Sequence, residues 1–309
     1  MKAVKDLKIN KKTTIEELME QFSQAGGFTA TKLAQAYSII KDMMDDETRI
    51  LSFPADIIST GTRGVIKDMV RKKMFNVVIT TCGTLDHDLA RSFKNYYHGY
   101  FEMDDVELSK KGIYRLGNVI IPKENYGEII ENKMNEFLEK IEIREWKPYE
   151  LLWELGKFIN NEDSILYWTY KNKIPVFVPG ITDGAVGSQL WSFWERNKNF
   201  KLNIFEDEHA LSDIIFTTKS SGALMIGGGI SKHHTIWWNQ FRGGLDHAVY
   251  ITTAVEYDGS LSGARTREAI SWGKIKTRAK HITVEGDATV LLPILIGSLQ
   301  IGRAACRER

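Results

Sequence analysis

Six short, unbroken apolar runs, most flanked on each side by segments of helical character, constrain this chain more than any other feature. They are Ile50-Leu51-Ser52-Phe53, Val77-Val78-Ile79-Thr80, Ile174-Pro175-Val176-Phe177-Val178, Ala223-Leu224-Met225-Ile226, Ala248-Val249-Tyr250-Ile251 and Ile282-Thr283-Val284. A strand with one wet face alternates apolar and polar residues, whereas an unbroken run belongs to a strand buried on both faces. Burial on both faces needs helices above and below, so the pattern predicts an α/β fold, a parallel sheet with helices on both faces. At the N-terminus, Thr14-Ile15-Glu16-Glu17 reads as a capping box opening a helix that Gly26-Gly27 closes. Leu33, Ala36, Tyr37, Ile40 and Met44 then recur at helical spacing. The expected organisation is an N-terminal helical extension over residues 1–45, one domain over 46–300, and a tail over 301–309.

Composition excludes several classes. The 41 basic and 40 acidic residues leave a net charge of +1, without the basic excess by which proteins grip phosphates, so nucleic acid is not the expected partner. No apolar run approaches the roughly 20 residues that span a bilayer, and Met1-Lys2-Ala3-Val4-Lys5-Asp6 opens no signal peptide. The two cysteines, Cys82 and Cys306, form no metal-spacing motif, so no metal is expected and a reducing cytoplasm fits best. The basic tail Arg303 to Arg309 reads as a natural end or an expression remnant.

Glycines and small polar residues gather after the apolar runs: Ser59-Thr60-Gly61-Thr62, Thr80-Thr81-Cys82-Gly83-Thr84, Thr182-Asp183-Gly184, Gly227-Gly228-Gly229, Thr252-Thr253 and Asp287-Ala288. In parallel α/β sheets, ligands collect at the carboxyl ends of the strands, where such turns lead into helix N-termini. One such turn only reverses the chain; their joint occurrence points to a nucleotide. None is a Gly-x-Gly-x-x-Gly fingerprint, so any dinucleotide is held by other means than in a standard Rossmann site.

Ser271-Trp272-Gly273-Lys274-Ile275 follows the glycine- and serine-rich loop Asp258-Gly259-Ser260-Leu261-Ser262-Gly263-Ala264-Arg265. A lysine attacks carbonyl or imine carbon only as the neutral amine, which apolar or aromatic walls favour. Trp272 supplies such a wall, and Gly273 lets backbone approach a ligand or adopt positive φ. These residues by themselves more often describe a surface lysine ending a turn.

The run from Gly227 to Lys274, with Gly-Gly-Gly-Ile-Ser-Lys-His-His, Ala-Val-Tyr-Ile-Thr-Thr-Ala, Asp-Gly-Ser-Leu-Ser-Gly-Ala-Arg and Ser-Trp-Gly-Lys-Ile in order, resembles deoxyhypusine synthase. The resemblance extends through Thr182-Asp183-Gly184, Tyr114-Arg115-Leu116-Gly117-Asn118, Thr80-Thr81-Cys82-Gly83 and Ile57-Ile58-Ser59 to Phe28-Thr29-Ala30-Thr31, about residue 20 to 300. It implies a Rossmann-like sheet and an NAD-dependent transferase. In the family, spermidine is oxidised, diaminopropane leaves, and an enzyme lysine holds the butylamine as an imine. That group passes to a lysine of translation initiation factor 5A. The family also implies a homotetramer with sites at a dimer interface.

The resemblance assigns Lys274 as nucleophile and His233 as the amine-contacting histidine, suited to moving protons near neutrality. His233 read without it is a histidine at a helix start; His234 is expected to pack. Glu268 and Trp272 match the polyamine site, as do Gly259 and Ser260 in the loop. The NAD matches are Ile57, Ile58, Ser59, Thr81, Cys82, Gly83, Asp183, Gly228, Thr253, Asp287 and Ala288, with carboxylates for ribose and N–H groups for phosphates.

Departures bear on the substrate. Where the family carries two adjacent acids that face the polyamine, this chain has Asp86 and His87, and a further aspartate position is Ser188. Leu261 stands at an acid position of eukaryotic members, and Ala55-Asp56 replaces Ser-Asn. Each charge-assisted contact is worth about 1.5–3 kcal/mol, so losing two implies spermidine binding roughly a hundredfold weaker. His87 instead suits a different functional group. Two alternatives follow: a paralogue running the same imine chemistry on another donor or acceptor, as homospermidine synthase does, and a non-catalytic NAD-binding subunit. Trp191, Phe193, Trp194, Trp237, Trp238 and Phe241 form two aromatic stripes on predicted helices, expected to serve packing or assembly.

Overall fold

A computed structural model describes residues 1–305, with side chains through Leu299; of the expected tail, residues 301–305 continue the last helix and residues 306–309 lie outside the described residues. Chain order begins α1 (Ile15–Gln24), α2 (Phe28–Met43), β1 (Thr48–Ser52), α3 (Thr62–Arg71), β2 (Val77–Ile79) and α4 (Cys82–Phe93). It continues with β3 (Tyr97–His98), α5 (Asp105–Lys110), β4 (Ile113–Leu116), β5 (Val119–Pro122), α6 (Gly127–Leu138) and β6 (Glu145–Trp146). Next come α7 (Pro148–Ile159), α8 (Ile165–Asn172), β7 (Val176–Phe177), α9 (Ala185–Arg196), β8 (Lys201–Leu202) and α10 (Ile204–Thr217). The last elements are β9 (Ser221–Ile226), α11 (Gly229–Gln240), β10 (Leu245–Thr252), α12 (Thr266–Ser271), β11 (Ile275–Glu285) and α13 (Ala288–Ala305). Contacts gather into two compact units: Met1–Phe53 with the segment from Ser212 onward, and Pro54–Leu211.

In the first unit the strands lie parallel in the order β11-β10-β9-β1. Successive residues of a strand point to opposite faces. On β9, Ser221 Oγ donates to Asn239 Oδ1 of α11 at 2.7 Å, while a Cβ on Gly222 would lie 2.3 Å from Met43 Cγ of α2. Thus α11 and α2 cover opposite faces, and Gly222 is where α2 comes too close for a side chain. With both faces covered, Leu51, Ala223, Leu224, Met225, Ala248 and Val249 are fully buried, which is why their runs contain no polar alternation.

The capping box forms as expected: Glu17 N donates to Thr14 Oγ1 at 3.1 Å, and Thr14 N donates to Glu17 Oε2 at 2.8 Å. α1 ends at Gln24, and Gly26 takes φ +64°. α2 buries Leu33, Ala36 and Ile40 of its predicted stripe, while Tyr37 is half-buried and Met44 is the residue that caps the helix. Both helices and α13 pack with one another, and α2 lies along the sheet.

In the second unit β2 and β7 pair in parallel, so all six apolar runs lie in parallel strands. Asp88 of α4 organises this unit: it accepts from Arg63 Nε at 2.8 Å, Ser164 Oγ at 2.7 Å, and the Ile165 and Leu166 amides at 3.0 and 2.9 Å. A carboxylate thereby caps α8 from a distance while its charge is paired. An antiparallel sheet, β3-β5-β4, and a two-residue parallel pair, β6 with β8, were not anticipated. Residues of β3 and β4 are exposed or half-buried, so no apolar run marks them. No described helix is long and apolar enough to cross a membrane.

Candidate active site

The α11 face of the first unit's sheet carries a cavity. Tyr250 of β10 pairs with Met225 of β9, and alternation puts both on the face that Ser221 shows to α11. Above them the chain leaves β10, runs through the 255–265 loop and α12, and turns at Gly273 (φ +67°) into Lys274. That turn closes when Lys274 N donates to Ala269 O at 2.9 Å. This open cavity measures about 260 Å³, and its lining includes Lys232, Tyr250, Gly259, Ser260, Glu268, Trp272 and Lys274.

Lys274 is half-buried, and its Nζ lies 5.1 Å from the centre of the Trp272 ring. The indole lies beside the amine, and Trp272 is itself 61% exposed. His233, on α11, stacks on Trp237 with ring centres 5.8 Å apart. Partial burial, then the charge of Lys274, hold its pKa below the usual histidine range; the two residues expected to be catalytic sense one another. Ser260 N donates to Asp258 Oδ1 at 2.7 Å, and Gly259 takes φ +70°.

Several lining residues were missed as site residues, Lys232 and Tyr250 among them. Lys232, only 1% exposed, donates to Leu261 O at 2.7 Å and Ala264 O at 2.9 Å, and its Nζ stands 4.1 Å from the Tyr250 ring centre. Burial lowers its pKa to about 8, against the opposing pull of Glu268. Tyr250 is equally buried. Both occupy positions that helix and strand periodicity assign to the core, so no sequence signal separated them from packing.

Beside the cavity the ends of three parallel strands stand level: Gly227 N donates to Ile251 O at 2.8 Å and Gly286 N to Thr252 O at 2.9 Å. Gly228 passes so close to Ser262 that a Cβ would fall 2.1 Å from its Oγ. Thr253 and Asp287 are exposed, and Asp287 accepts from Thr289 N at 2.8 Å at the start of α13. Side-chain-free backbone, the N-termini of α11 and α13, a hydroxyl and a carboxylate together form the donor and acceptor set a dinucleotide needs, so these residues fit NAD. Ala288 is half-buried in the first turn of α13. Among the described residues no group of three His, Cys, Asp or Glu is placed to hold a metal ion.

In the second unit, Ile57, Ile58 and Ser59 are buried in a 3-10 turn over Asp56–Ser59. Arg91 Nη1 fixes it, donating to Ile58 O at 2.6 Å and Thr60 O at 2.5 Å. Thr81 and Gly83 are half-buried at the start of α4, and Asp183 is exposed after β7. Cys82 is buried, and burial, then Asp86, push its thiol up to about 12, so it stays protonated. Asp86 accepts from the Ala185 and Val186 amides at 2.9 and 2.7 Å and from the Tyr126 hydroxyl at 3.0 Å. Its carboxylate therefore caps α9, using oxygens that the sequence offered to a polyamine. His87 is buried, with Nδ1 3.0 Å from the Tyr96 hydroxyl; burial, then Arg91, lower its pKa to about 4. Ser188 is exposed and donates to Gly184 O at 3.0 Å.

Parallel strands flanked by helices, with level strand ends beside a lysine-bearing cavity, define an α/β protein of Rossmann-like fold. Residues 17–299 match the deoxyhypusine synthase family profile. Proteins named probable deoxyhypusine synthase from Picrophilus torridus and Thermoplasma acidophilum are each 61% identical over 296 residues, covering 95% of this chain and 95% and 96% of theirs. The chain belongs to the deoxyhypusine synthase family, which marks it as a transferase. A crystal structure assigned to a deoxyhypusine synthase of Entamoeba histolytica superposes with a TM-score of 0.64 at 20% identity, covering 96% of each chain, a likeness of fold.

Proposed function

We propose that this transferase moves the aminobutyl group of spermidine to a lysine of translation initiation factor 5A, with NAD as cofactor and Lys274 as the carrier. The observation that carries the reading is the cavity itself: the amine of Lys274 beside the Trp272 indole, with Glu268 on the same wall. NAD, when bound, supplies the oxidation of the donor amine and the reduction that ends the transfer. Gly228, Thr253, Asp287 and Ala288 suit it in one unit; in the other, the backbone at Ile57, Ile58, Ser59, Thr81, Cys82 and Gly83 and the carboxylate of Asp183 suit the same chemistry.

Lys274 Nζ, as the neutral amine, adds to the donor's imine carbon; diaminopropane leaves with the nitrogen, and the four-carbon amine remains as an imine on Lys274. Glu268 holds the far ammonium, and Trp272 stacks against its charge. His233 carries protons between the nitrogens, its pKa lowered by partial desolvation and then by the charge of Lys274. The Trp272 ring shelters one side of the amine and of the imine formed on it. Because Asp86 is committed to α9, His87 is buried and Ser188 is neutral, a second reading stands beside the first: the same chemistry on another amine donor or acceptor. The exposed Trp191, Trp194, Trp237 and Phe241 are suited to burial between copies, in keeping with a cytoplasmic homotetramer.

The test is borohydride trapping. With NAD and spermidine present, the wild type should gain a reduced four-carbon adduct on Lys274 by peptide mass spectrometry. Lys274→Arg should bind NAD normally and trap nothing, because a guanidinium stays charged. A variant that still traps the adduct, or a wild type that traps none with any amine of a panel, refutes the lysine mechanism.

A further inference from the structure

Residues 255–260 are exposed without a break, and they carry Gly259 and Ser260 of the Lys274 cavity. An exposed stretch keeps one shape only as far as its two ends are held. The ends of this loop meet at Arg265, which is buried. Its Nη1 donates to Ala254 O at 3.2 Å, joining the residue that enters the loop to the one that leaves it. Beside that bond Gly263 lies against Val255, where a Cβ would fall 2.0 Å from the carbonyl oxygen. The two limbs therefore touch backbone to backbone.

The same guanidinium reaches a second strand. Its Nε lies 3.5 Å from Glu285 Oε1, while Glu285 Oε2 accepts from Lys32 Nζ of α2 at 2.6 Å. Glu285 is the last residue of β11, just ahead of Gly286 and Asp287, as Thr252 is the last of β10, just ahead of Thr253 and Ala254. One buried cation thus grips both strand ends that fit the cofactor and the base of the loop that lines the cavity. Arg267 and Glu256 also pair across this loop, but both are exposed, and such a pair contributes little. Arg265 differs because its charge is buried and, without Glu285, would lose its carboxylate.

We infer that Arg265, set by Glu285, is a positioning residue: it holds the loop of the Lys274 cavity in place against the strand ends that take the cofactor. The inference rests on the proposed binding of NAD and an amine in this unit, and it names what keeps the two sites aligned. Arg265 also lines the cavity, but a guanidinium repels an ammonium, so it serves the amine only through the loop. A fixed loop has its ordering entropy removed before the ligand arrives, and affinity rises accordingly.

Glu285→Gln keeps the size of the side chain and removes the anion; Arg265→Met removes the cation and its bond to Ala254. Calorimetric titrations of NAD, and of spermidine into NAD-saturated protein, are run where each protein is fully folded, so a lower thermal midpoint by itself moves neither affinity. Both variants should bind both ligands about tenfold more weakly. Arg265→Lys, which keeps the charge but lacks the planar fork that meets two partners, should recover part of the loss. Unchanged affinities in Glu285→Gln overturn the inference, even where Arg265→Met fails to fold. A loss confined to one ligand overturns it too. So does tighter NAD binding by Glu285→Gln, because a guanidinium freed to meet the cofactor's phosphates would be a direct contact. A wild type that binds neither NAD nor spermidine removes the proposed function itself, and the inference with it.

Discussion

Lys232→Met isolates the energetics of the buried lysine beneath the cavity. Methionine preserves the length of the stem and removes the charge and both bonds to the 261–264 carbonyls. Burial lowers the pKa of Lys232 from 10.5 in the unfolded chain to about 8 in the fold. Between those values the native protein has lost its proton and the unfolded chain still holds one. Stability therefore rises with pH across that window, and below about 8 this residue contributes no slope. At about 1.4 kcal/mol per pH unit, the whole span is worth on the order of 3 kcal/mol. Urea unfolding of wild type and Lys232→Met, stepped through the window, should give a stability difference that grows in favour of the wild type by that amount. Other tyrosines, lysines and Cys82 titrate in both proteins and cancel. Parallel curves would refute the argument, because they would mean that Lys232 titrates alike in both states.

Three further substitutions probe the same reasoning. The pKa of His87 falls from 6.5 to about 4 on folding, so the unfolded chain takes up a proton first and stability is lost as pH falls through that range; His87→Asn should flatten the acid limb by up to about 3 kcal/mol in chemical denaturation. Restoring the family's acid with His87→Glu should lower the thermal midpoint without recovering spermidine affinity, since the carboxylate would be buried beside Asp86; tighter spermidine binding by a stable variant would contradict this. Gly228→Ala must displace Ser262, 2.1 Å from the new Cβ, and should cost about 1–3 kcal/mol by thermal unfolding, together with weaker NAD binding by calorimetry.

The fold was legible where burial is two-sided. Ile50, Val78, Phe177, Leu224, Val249 and Val284 sit in runs without polar alternation because helices cover both faces of their strands, and each run lies in a parallel strand. The β3-β5-β4 sheet escaped notice for the opposite reason: β4 alternates half-buried and exposed positions over four residues, too short for a period to declare itself. In the site, Lys274 and Trp272 could be read because they fall next to one another in a turn, where local sequence is local geometry. Lys232 and Tyr250 reach the same cavity from α11 and β10, 18 residues apart along the chain, and only the pairing of β10 with β9 and the packing of α11 bring them together. Their positions obey the core period, so a reading by period files them with the core.

The acidic positions show how formal charge and available charge diverge. Counting letters, Asp86 is a carboxylate kept and His87 one lost, which leaves a polyamine half of its expected pair. In the fold, Asp86 lies under the first turn of α9, where the Ala185 and Val186 amides would otherwise end unpaired in a buried place. Its anion is held by that helix terminus and by Tyr126, and burial works against the charge that these donors sustain. A ligand ammonium arriving there would compete with three hydrogen bonds rather than meet a free acid. His87, its neighbour on α4, is paired with Tyr96 and kept neutral by the same burial. In the other unit Glu268 stands exposed on the wall that carries Lys274. An isothermal titration of spermidine with Asp86→Asn and Glu268→Gln separates the two roles: the first should lose stability with modest change in affinity, and the second affinity with little change in stability. The reverse pattern would place the binding charge on Asp86 after all.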